Sequence, residues 1–381
     1  MKFILIGSPL LFNRLFLLVA PYFLNQILYN QFNRVYYSAS VLTLVGVLGF
    51  NFAMKRTGIK QFYVFTAVLA NVLIVFFALF FGGFDFGNNR EIFLILALSF
   101  IQSLSGVFIF TLLYSGDYVI YFLLNLFLLI LNFAALVISH YTKIDFISLF
   151  VLSNVVLFAA GYKFYYKGEF SGKTKLAEFY RLGLSIFVIN SSAGLALTAD
   201  KFFVNHYFTL ALANSYTFSW ALAAPVFYMG NIIERVIYTI ENKNNLKHVF
   251  VKSSLAQLGI VLLYGIGVTC VVYSFPQYLP KSVSYEYMKM IVPLMIAGYG
   301  VYTIFHFPLN GILLKFSSNK SQEKIAFYYT IAIIVFIGIF FVLKGMIAQV
   351  NYVSLLIIIW IYLFSLLAIK AKIMWGSNAQ K

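Results

Sequence analysis

The sequence predicts an all-α fold, that of a polytopic integral membrane protein with about twelve transmembrane helices in two six-helix bundles. Three observations lead to this prediction: the composition, the length of the apolar runs and the placement of the basic residues. Of the 381 residues, 62% are hydrophobic and 10% are charged, whereas soluble domains are about half apolar and a quarter charged. Because a soluble core of this size could not bury so much apolar surface, the composition indicates a protein that faces lipid.

The apolar runs have the length that a bilayer requires. A helix needs about 20 mainly apolar residues to cross the hydrocarbon core, and polar breaks divide the chain into twelve such runs. The predicted spans are 6–26, 35–54, 62–82, 92–114, 118–139, 145–163, 178–199, 207–229, 254–275, 289–314, 325–344 and 352–372. The stretch 166–177 is predicted to be a cytoplasmic linker between an N-terminal bundle, 1–165, and a C-terminal bundle, 178–381.

The basic residues predict the orientation of the chain. With both termini on the cytoplasmic side, 19 Lys and Arg residues lie on the inside and 7 on the outside, and Arg14 lies within a span. This bias follows the positive-inside rule, which the inverted topology would violate. Topology and anionic headgroups therefore account for the net charge of +16. Membrane lipids are the expected partners of these charges, and a nucleic acid is not.

The stretch that follows the eighth span carries an apolar helical face. Ile232, Ile233, Val236, Ile237 and Ile240 share this face, and polar residues occupy the other. Two interpretations remain open at this point: an amphipathic helix in the cytoplasmic interface, or a simple extension of the span.

Residues that would indicate an enzyme or a metal site are absent from the sequence. Its single Cys and four His show no metal-ligand spacing, and neither a Gly-rich phosphate loop nor a nucleophile elbow occurs. We therefore expect no enzymatic activity, no cofactor and no metal.

Charge within a span is costly, and it marks function more often than chance would. Arg14 lies in the first span beside Asn13. A guanidinium in a central cavity would bind phosphate through paired hydrogen bonds. The alternative is that Arg14 reaches the headgroups and only anchors the helix.

The seventh span carries a polar stripe that ends in an acidic–basic pair. The predicted binding residues of this span are Arg181, Ser185, Asn190, Ser192, Asp200 and Lys201. Polar stripes of membrane helices face the bundle interior or water, so we interpret this one as cavity lining. Hydrogen bonding between helices, which gives no sign of transport, is the alternative.

Further polar residues extend the candidate cavity. They are Gln102 in the fourth span, Asn125 and Asn132 in the fifth, and His306 and Asn310 in the tenth. Each could equally belong to a packing seam between helices. A lone His such as His306 is more often a packed, hydrogen-bonded residue than a proton relay.

Two segments resemble a known family. ADKFFVNHYFTLALANSYTFSWALAAPV, at 199–226, is similar to the hairpin of the seventh and eighth spans of Wzx-type flippases of the multidrug/oligosaccharidyl-lipid/polysaccharide (MOP) exporter superfamily. The similarity rests on Asp200 and Lys201, an aromatic run, and then Asn214, Ser215 and Tyr216. LYNQFNRVYYSASVLTLVGVLGF, at 28–50, resembles the first hairpin of the same family.

The resemblance implies a flippase of the bacterial inner membrane, with alternating access between two helical bundles. Its substrate would be an undecaprenyl-pyrophosphate-linked oligosaccharide, the precursor of O-antigen or capsule. A glycan polymerase and a chain-length regulator would be its candidate protein partners. The alternatives are another MOP-type exporter of small molecules and a polytopic membrane enzyme of glycan assembly. All eleven acidic residues fall in predicted loops or at helix ends, which disfavours an ion-coupled antiporter.

Overall fold

The regular structure of the described residues is entirely helical. The computed structural model describes residues 2–47, 61–115, 117–165, 176–239, 246–316, 319–346 and 350–376. In these ranges lie α1 (Lys2–Phe23), α2 (Gln26–Val47), α3 (Gln61–Phe81), α4 (Asn89–Ser115), α5 (Tyr118–Thr142), α6 (Phe146–Tyr165), α7 (Leu176–Tyr207), α8 (Leu210–Ala223), α9 (Pro225–Thr239), α10 (Leu246–Ser274), a 3₁₀ turn (Pro276–Tyr278), α11 (Tyr285–Phe316), α12 (Asn319–Gly345) and α13 (Tyr352–Gly376). Every predicted span overlaps at least one of these helices.

The helices confirm a polytopic membrane protein of the all-α class. Within the described ranges, seven helices are long and apolar enough to cross a bilayer, namely α3, α4, α5, α10, α11, α12 and α13. Large apolar side chains such as Leu263 and Ile334 are exposed on these helices, as expected of surfaces that face lipid rather than water.

The chain forms two compact units, Met1–His206 and Tyr207–Lys381. The first unit holds α1 to α6 and, but for its last residue, α7; the second holds α8 to α13. The seventh helix thus groups with the first six. Most of the predicted linker, 166–177, lies outside the described residues, and the predicted division into 1–165 and 178–381 stays a prediction.

The second helix begins nine residues before the predicted span at 35–54. α2 starts at Gln26, directly after Asn25, whose side chain accepts a hydrogen bond from the backbone N–H of Leu28 at 2.9 Å. This contact caps the helix and satisfies one of its first free N–H groups. Polar residues that we expected in a loop are therefore helical and face the bundle.

The eighth predicted span, 207–229, consists of two helices. α8 ends at Ala223 and α9 begins at Pro225, which lacks the N–H group that a helix interior needs and suits a first helical position. α9 then runs without a break to Thr239. The described part of this stretch is helical to Thr239, Ile240 lies outside the described residues, and both interpretations of the stretch stay predictions.

The core of the first unit is aromatic. Phe16 of α1 is fully buried and contacts Phe32 of α2, Phe133 of α5, and Phe146 and Phe150 of α6. α4 packs against α2, α3, α5 and α6. Aromatic rings contribute more apolar contact area than other side chains, so this cluster fixes α2 against its neighbours.

α11 is central to the second unit. It packs against α8, α9, α10 and α13. Gly298 lets α13 approach closely, because a Cβ atom at this position would lie 2.1 Å from Cε2 of the Trp360 indole. Gly230 lets α9 approach α11 in the same way, because a Cβ atom at Gly230 would lie 2.0 Å from Cδ2 of the Phe307 ring. Small residues at helix contacts are a general feature of membrane helix packing.

The turn between α5 and α6 is fixed by an ion pair. Asp145 accepts a hydrogen bond from the backbone N–H of Ser148 at 2.7 Å and lies 2.5 Å from the Arg90 guanidinium. Burial alone would raise the pKa of Asp145, but the hydrogen bonds from Ser148 and Arg90 outweigh it and hold this pKa below its ordinary value.

Replacing Gly298 with alanine should destabilise the second unit. The added methyl group collides with the rigid indole of Trp360, and overpacking of this kind costs about 1–3 kcal/mol. Gly259→Ala is the matched control, because no heavy atom lies within 4 Å of a Cβ there. In a helix the control should gain roughly 0.5–1 kcal/mol. The measurement is the melting temperature of each purified variant in detergent, and equal shifts would contradict the close approach of α11 and α13.

Candidate functional site

The first unit buries an acidic–basic pair. Asp200 and Lys201 of α7 both have 0% exposure. Nζ of Lys201 lies 2.8 and 3.0 Å from the two carboxylate oxygens of Asp200 and also donates to the carbonyl of Leu197. Removing two charges from water costs several kcal/mol for each ion unless pairing and hydrogen bonds offset it. The structure corrects the expectation that this pair closes the helix, because α7 continues to Tyr207.

An amide layer adjoins the pair on the side of α2. Asn205, one turn after Lys201, donates to the Lys201 carbonyl at 2.8 Å. Asn30 of α2 then donates to the side-chain oxygen of Asn205 at 3.4 Å. Asn33 is fully buried on the same helix. None of these three amides was among the predicted binding residues; the spacing of Asn30 and Asn33, which places both on one helical face, was the signal available.

Aromatic residues of the loop between α3 and α4 cover the end of α7. Phe84 and Phe86 are 5% and 2% exposed, and both rings contact Phe202. His206 contacts the Phe202 carbonyl through Nδ1 at 2.7 Å and the Ser38 hydroxyl through Nε2 at 3.5 Å. A carbonyl can only accept, so Nδ1 carries the proton and the Ser38 hydroxyl donates to Nε2. The rings of Phe84, Phe86 and His206 thus pack around Phe202, which follows Lys201 in α7.

The remaining predicted residues of the first unit lie on different helices. Ser192 is buried on α7, two turns before Asp200. Asn125 of α5 donates to the Tyr121 carbonyl of its own helix at 2.7 Å, and Asn132 of the same helix is buried. Gln102 of α4 is half-buried. α5 packs against α1, α4 and α6, which fits a packing seam for its two amides.

Five predicted residues lie where the structure does not describe side chains. They are Asn13, Arg14, Arg181, Ser185 and Asn190. Their backbones belong to α1 and α7, and their roles in binding stay predictions.

The second unit contains a buried bridge between opposite charges. The Asn310 side chain of α11 donates to Oε1 of Glu234 on α9 at 2.9 Å and accepts from Nζ of Lys370 on α13 at 2.6 Å. Lys370 has 0% exposure. The two charges fix the orientation of the amide, because a carboxylate can only accept and an ammonium can only donate.

Asn310 was a predicted binding residue, and its two charged partners were not. Lys370, one of the 19 basic residues assigned to the cytoplasmic side, lies inside α13 and is buried. Residues two apart point to nearly opposite sides of a helix, so Lys370 and Lys372 could not both be buried, and Lys372 is the exposed one. Glu234 and Asp200 likewise lie within helices, which removes the premise that no carboxylate is placed for ion coupling.

His306 is a packed and hydrogen-bonded residue. Its Nδ1 lies 2.7 Å from the Tyr302 hydroxyl one turn earlier, and the two rings stack with their centroids 4.6 Å apart. His306 is 9% exposed. This arrangement fits the interpretation of a lone histidine as a structural group.

Two residues of the segment similar to flippases anchor a loop. Asn214 donates to the Ser282 carbonyl at 3.1 Å, and the Ser215 hydroxyl accepts from the backbone N–H of Ser284 at 2.9 Å. Both contacts fix the segment between α10 and α11 on α8.

In the described part of the chain, no group of three or more His, Cys, Asp or Glu side chains could hold a metal ion.

Comparison with known proteins identifies the fold. No protein-family model matches the chain, and no curated protein sequence matches it. Solved structures do match over nearly the whole length. An outward-facing multidrug resistance transporter of the MATE family, in the MOP superfamily, gives a TM-score of 0.56 at 15% identity, with 99% of this chain and 95% of that chain covered. An inward-facing MATE family transporter gives 0.55 at 15% identity, covering 96% and 98%.

A third structure extends the likeness. A MOP superfamily transporter from Pyrococcus furiosus, whose binding pocket is described as having reverse polarity, gives a TM-score of 0.54 at 13% identity, covering 99% of this chain and 95% of that chain. At these identities the likeness is one of fold, and the chain has the fold of MOP superfamily transporters.

Removing one member of the acidic–basic pair should destabilise the protein more than removing both charges. Lys201→Met leaves the Asp200 carboxylate buried without its counter-charge, at a cost of about 3–5 kcal/mol. Asp200→Asn with Lys201→Met removes the charge imbalance and should recover most of that loss. The partly exposed pair Glu286–Lys289, with nitrogen and oxygen 2.5 Å apart, supplies the control Lys289→Met, which should change little. Thermal unfolding in detergent measures all three variants, and the idea fails if the double variant is no more stable than Lys201→Met.

Proposed function

We propose that this protein exports a lipid-linked oligosaccharide by alternating access. In this proposal it moves an undecaprenyl-pyrophosphate-linked repeat unit of O-antigen or capsule from the cytoplasmic to the periplasmic leaflet. The observation that carries the proposal is the buried layer of Asp200, Lys201, Asn30 and Asn205 inside a helical unit. Groups of this polarity are costly within a membrane and are generally retained for function.

The chemistry of the layer suits both parts of such a substrate. The amides of Asn30 and Asn205 can donate to and accept from sugar hydroxyls, since each amide carries both kinds of group. The Lys201 ammonium can exchange the Asp200 carboxylate for a pyrophosphate oxygen as the unit changes conformation. The fold of MOP superfamily transporters supports the transport step, and the resemblance of segments 28–50 and 199–226 to Wzx-type flippases supports the substrate class.

A small-molecule exporter of the same superfamily is the second candidate. An ion-coupled antiporter needs a carboxylate within its helices, and the structure places Asp200 and Glu234 there. The sequence alone disfavoured an ion-coupled antiporter, and the position of these two carboxylates removes that objection. The two candidates differ in what they move, and a transport assay with both substrate classes separates them.

We propose the bacterial inner membrane as the location, with both termini in the cytoplasm. The bias of 19 inside to 7 outside basic residues supports this orientation. Membrane lipids and the lipid-linked sugar are then the direct partners, and a glycan polymerase and a chain-length regulator would act on the exported product.

Reconstituted vesicles test the substrate class. Purified protein in liposomes that contain a fluorescent undecaprenyl-pyrophosphate-linked oligosaccharide should make the sugar accessible to a membrane-impermeant lectin on the opposite side. The Asp200→Asn/Lys201→Met variant should lose at least about tenfold of this rate, since one lost charge-assisted contact is worth roughly 1.5–3 kcal/mol. Lys289→Met, in the partly exposed ion pair, should keep this rate. Transport of a small organic cation without any sugar movement would favour the second candidate, and no transport of either would refute both.

Arg14 should be required for movement of the lipid-linked sugar. Arg14→Ala removes a cation that could bind the pyrophosphate, so the vesicle rate should fall strongly while the protein still inserts. Arg14→Lys should retain part of the rate, because the charge stays but the paired hydrogen bonds of a guanidinium do not. A normal rate in Arg14→Ala would show that Arg14 is only an anchor at the headgroups.

A further inference from the structure

The bridge in the second unit has the composition of a cation site. Around Nζ of Lys370 lie the side-chain oxygen of Asn310 at 2.6 Å and the ring of Tyr329, whose centroid is 5.7 Å away. Glu234 lies beyond the Asn310 amide and acts electrostatically on Lys370. An amide oxygen, an aromatic face and a nearby carboxylate are groups that attract a monovalent cation, above all an ammonium ion.

Four helices hold these groups in place. Asn310 comes from α11, Tyr329 from α12, Glu234 from α9 and Lys370 from α13. The Tyr329 hydroxyl donates to the Leu366 carbonyl at 2.8 Å, which fixes its ring one turn before Lys370. Gly311 follows Asn310 and lets α9 approach, since a Cβ there would lie 3.1 Å from the Glu234 carbonyl. The packing of the unit therefore positions the Tyr329 ring and the backbone at Glu234, and the contact with Glu234 holds the Asn310 amide.

The Asn310 amide presents its oxygen to the Lys370 ammonium. The Glu234 carboxylate accepts from the Asn310 amide, and this leaves the amide oxygen pointing away from the carboxylate. A positively charged donor forms the strongest hydrogen bond with this oxygen, because the Glu234 carboxylate polarises the amide and strengthens its oxygen as an acceptor. Lys370 supplies this partner at the end of a flexible four-carbon chain.

We propose that Asn310, the Tyr329 ring and Glu234 form a binding site for a primary ammonium cation, which the native chain fills with its own Lys370. The cation that fills the site is thus the Lys370 ammonium, which is covalently part of the chain. The inference does not depend on which substrate the protein transports, and it can be tested without a transport assay.

Chemical rescue tests the site. Lys370→Ala should lower the melting temperature in detergent by roughly 5–10 °C, because the Asn310 oxygen loses its donor and the Glu234 carboxylate loses a nearby positive charge. Ethylammonium should then restore much of the loss in a saturable manner, as a ligand that binds only the folded state does. Tetramethylammonium should not, because it has no N–H to donate to Asn310.

Matched variants make the test specific. Lys372→Ala changes an exposed lysine of the same helix, and neither this variant nor the native protein should respond to ethylammonium. Glu234→Gln combined with Lys370→Ala should lose the rescue, since the attracting charge is gone. Equal shifts by ethylammonium in all variants, or equal rescue by tetramethylammonium, would overturn the proposal.

A second comparison covers the case in which Lys370→Ala does not fold. Lys370→Met keeps most of the side-chain volume and removes the charge. Together with Glu234→Gln it should be more stable than either single variant, because the two charges depend on each other. Additive losses in this double-mutant cycle would show that Lys370 does not serve as the cation of Glu234, and the proposal would be wrong.

Discussion

The free-energy cost of removing charge from water constrains both units of this protein. A buried ion persists only where a counter-charge and hydrogen bonds offset the loss of solvation. The first unit meets this condition with neighbouring residues, Asp200 and Lys201, on one helix. The second unit meets it across three helices, with Asn310 between Glu234 and Lys370. The positions of α9, α11 and α13 are therefore tied together by polar contacts as well as by packing.

The two arrangements of buried charge have different consequences for function. Because Asp200 and Lys201 belong to the same helix, separating them needs only a change of side-chain rotamer, so the pair can open without moving the backbone. The bridge of the second unit loses its contacts as soon as one of its helices moves. We therefore associate substrate contact with the first arrangement and fixed internal packing with the second. The close approaches at Gly230 and Gly298, where rings of Phe307 and Trp360 fill the space of a side chain, fit this division.

Most helices could be predicted from sequence, because apolar length is a strong signal. The boundaries that differ have local causes. Asn25 caps α2 earlier than its apolar run begins, and Pro225 divides the eighth span. Of the candidate site, Asp200, Lys201 and Asn310 were predicted, and they proved to be buried. Asn30, Asn205, Glu234 and Lys370 were not, because polar residues next to an apolar run look the same whether they face water or the interior of a bundle.

The sequence by itself determined the all-α membrane class and the approximate position of most of the described helices, since composition and apolar length depend only on the order of residues along the chain. Tertiary structure alone decided which charges are buried and which groups meet. Lys370 and Lys372 are two residues apart on one helix, yet one is buried and the other exposed. The difference arises because a helix turns successive residues by about 100°, and only the packing of neighbouring helices determines which of its faces is removed from water.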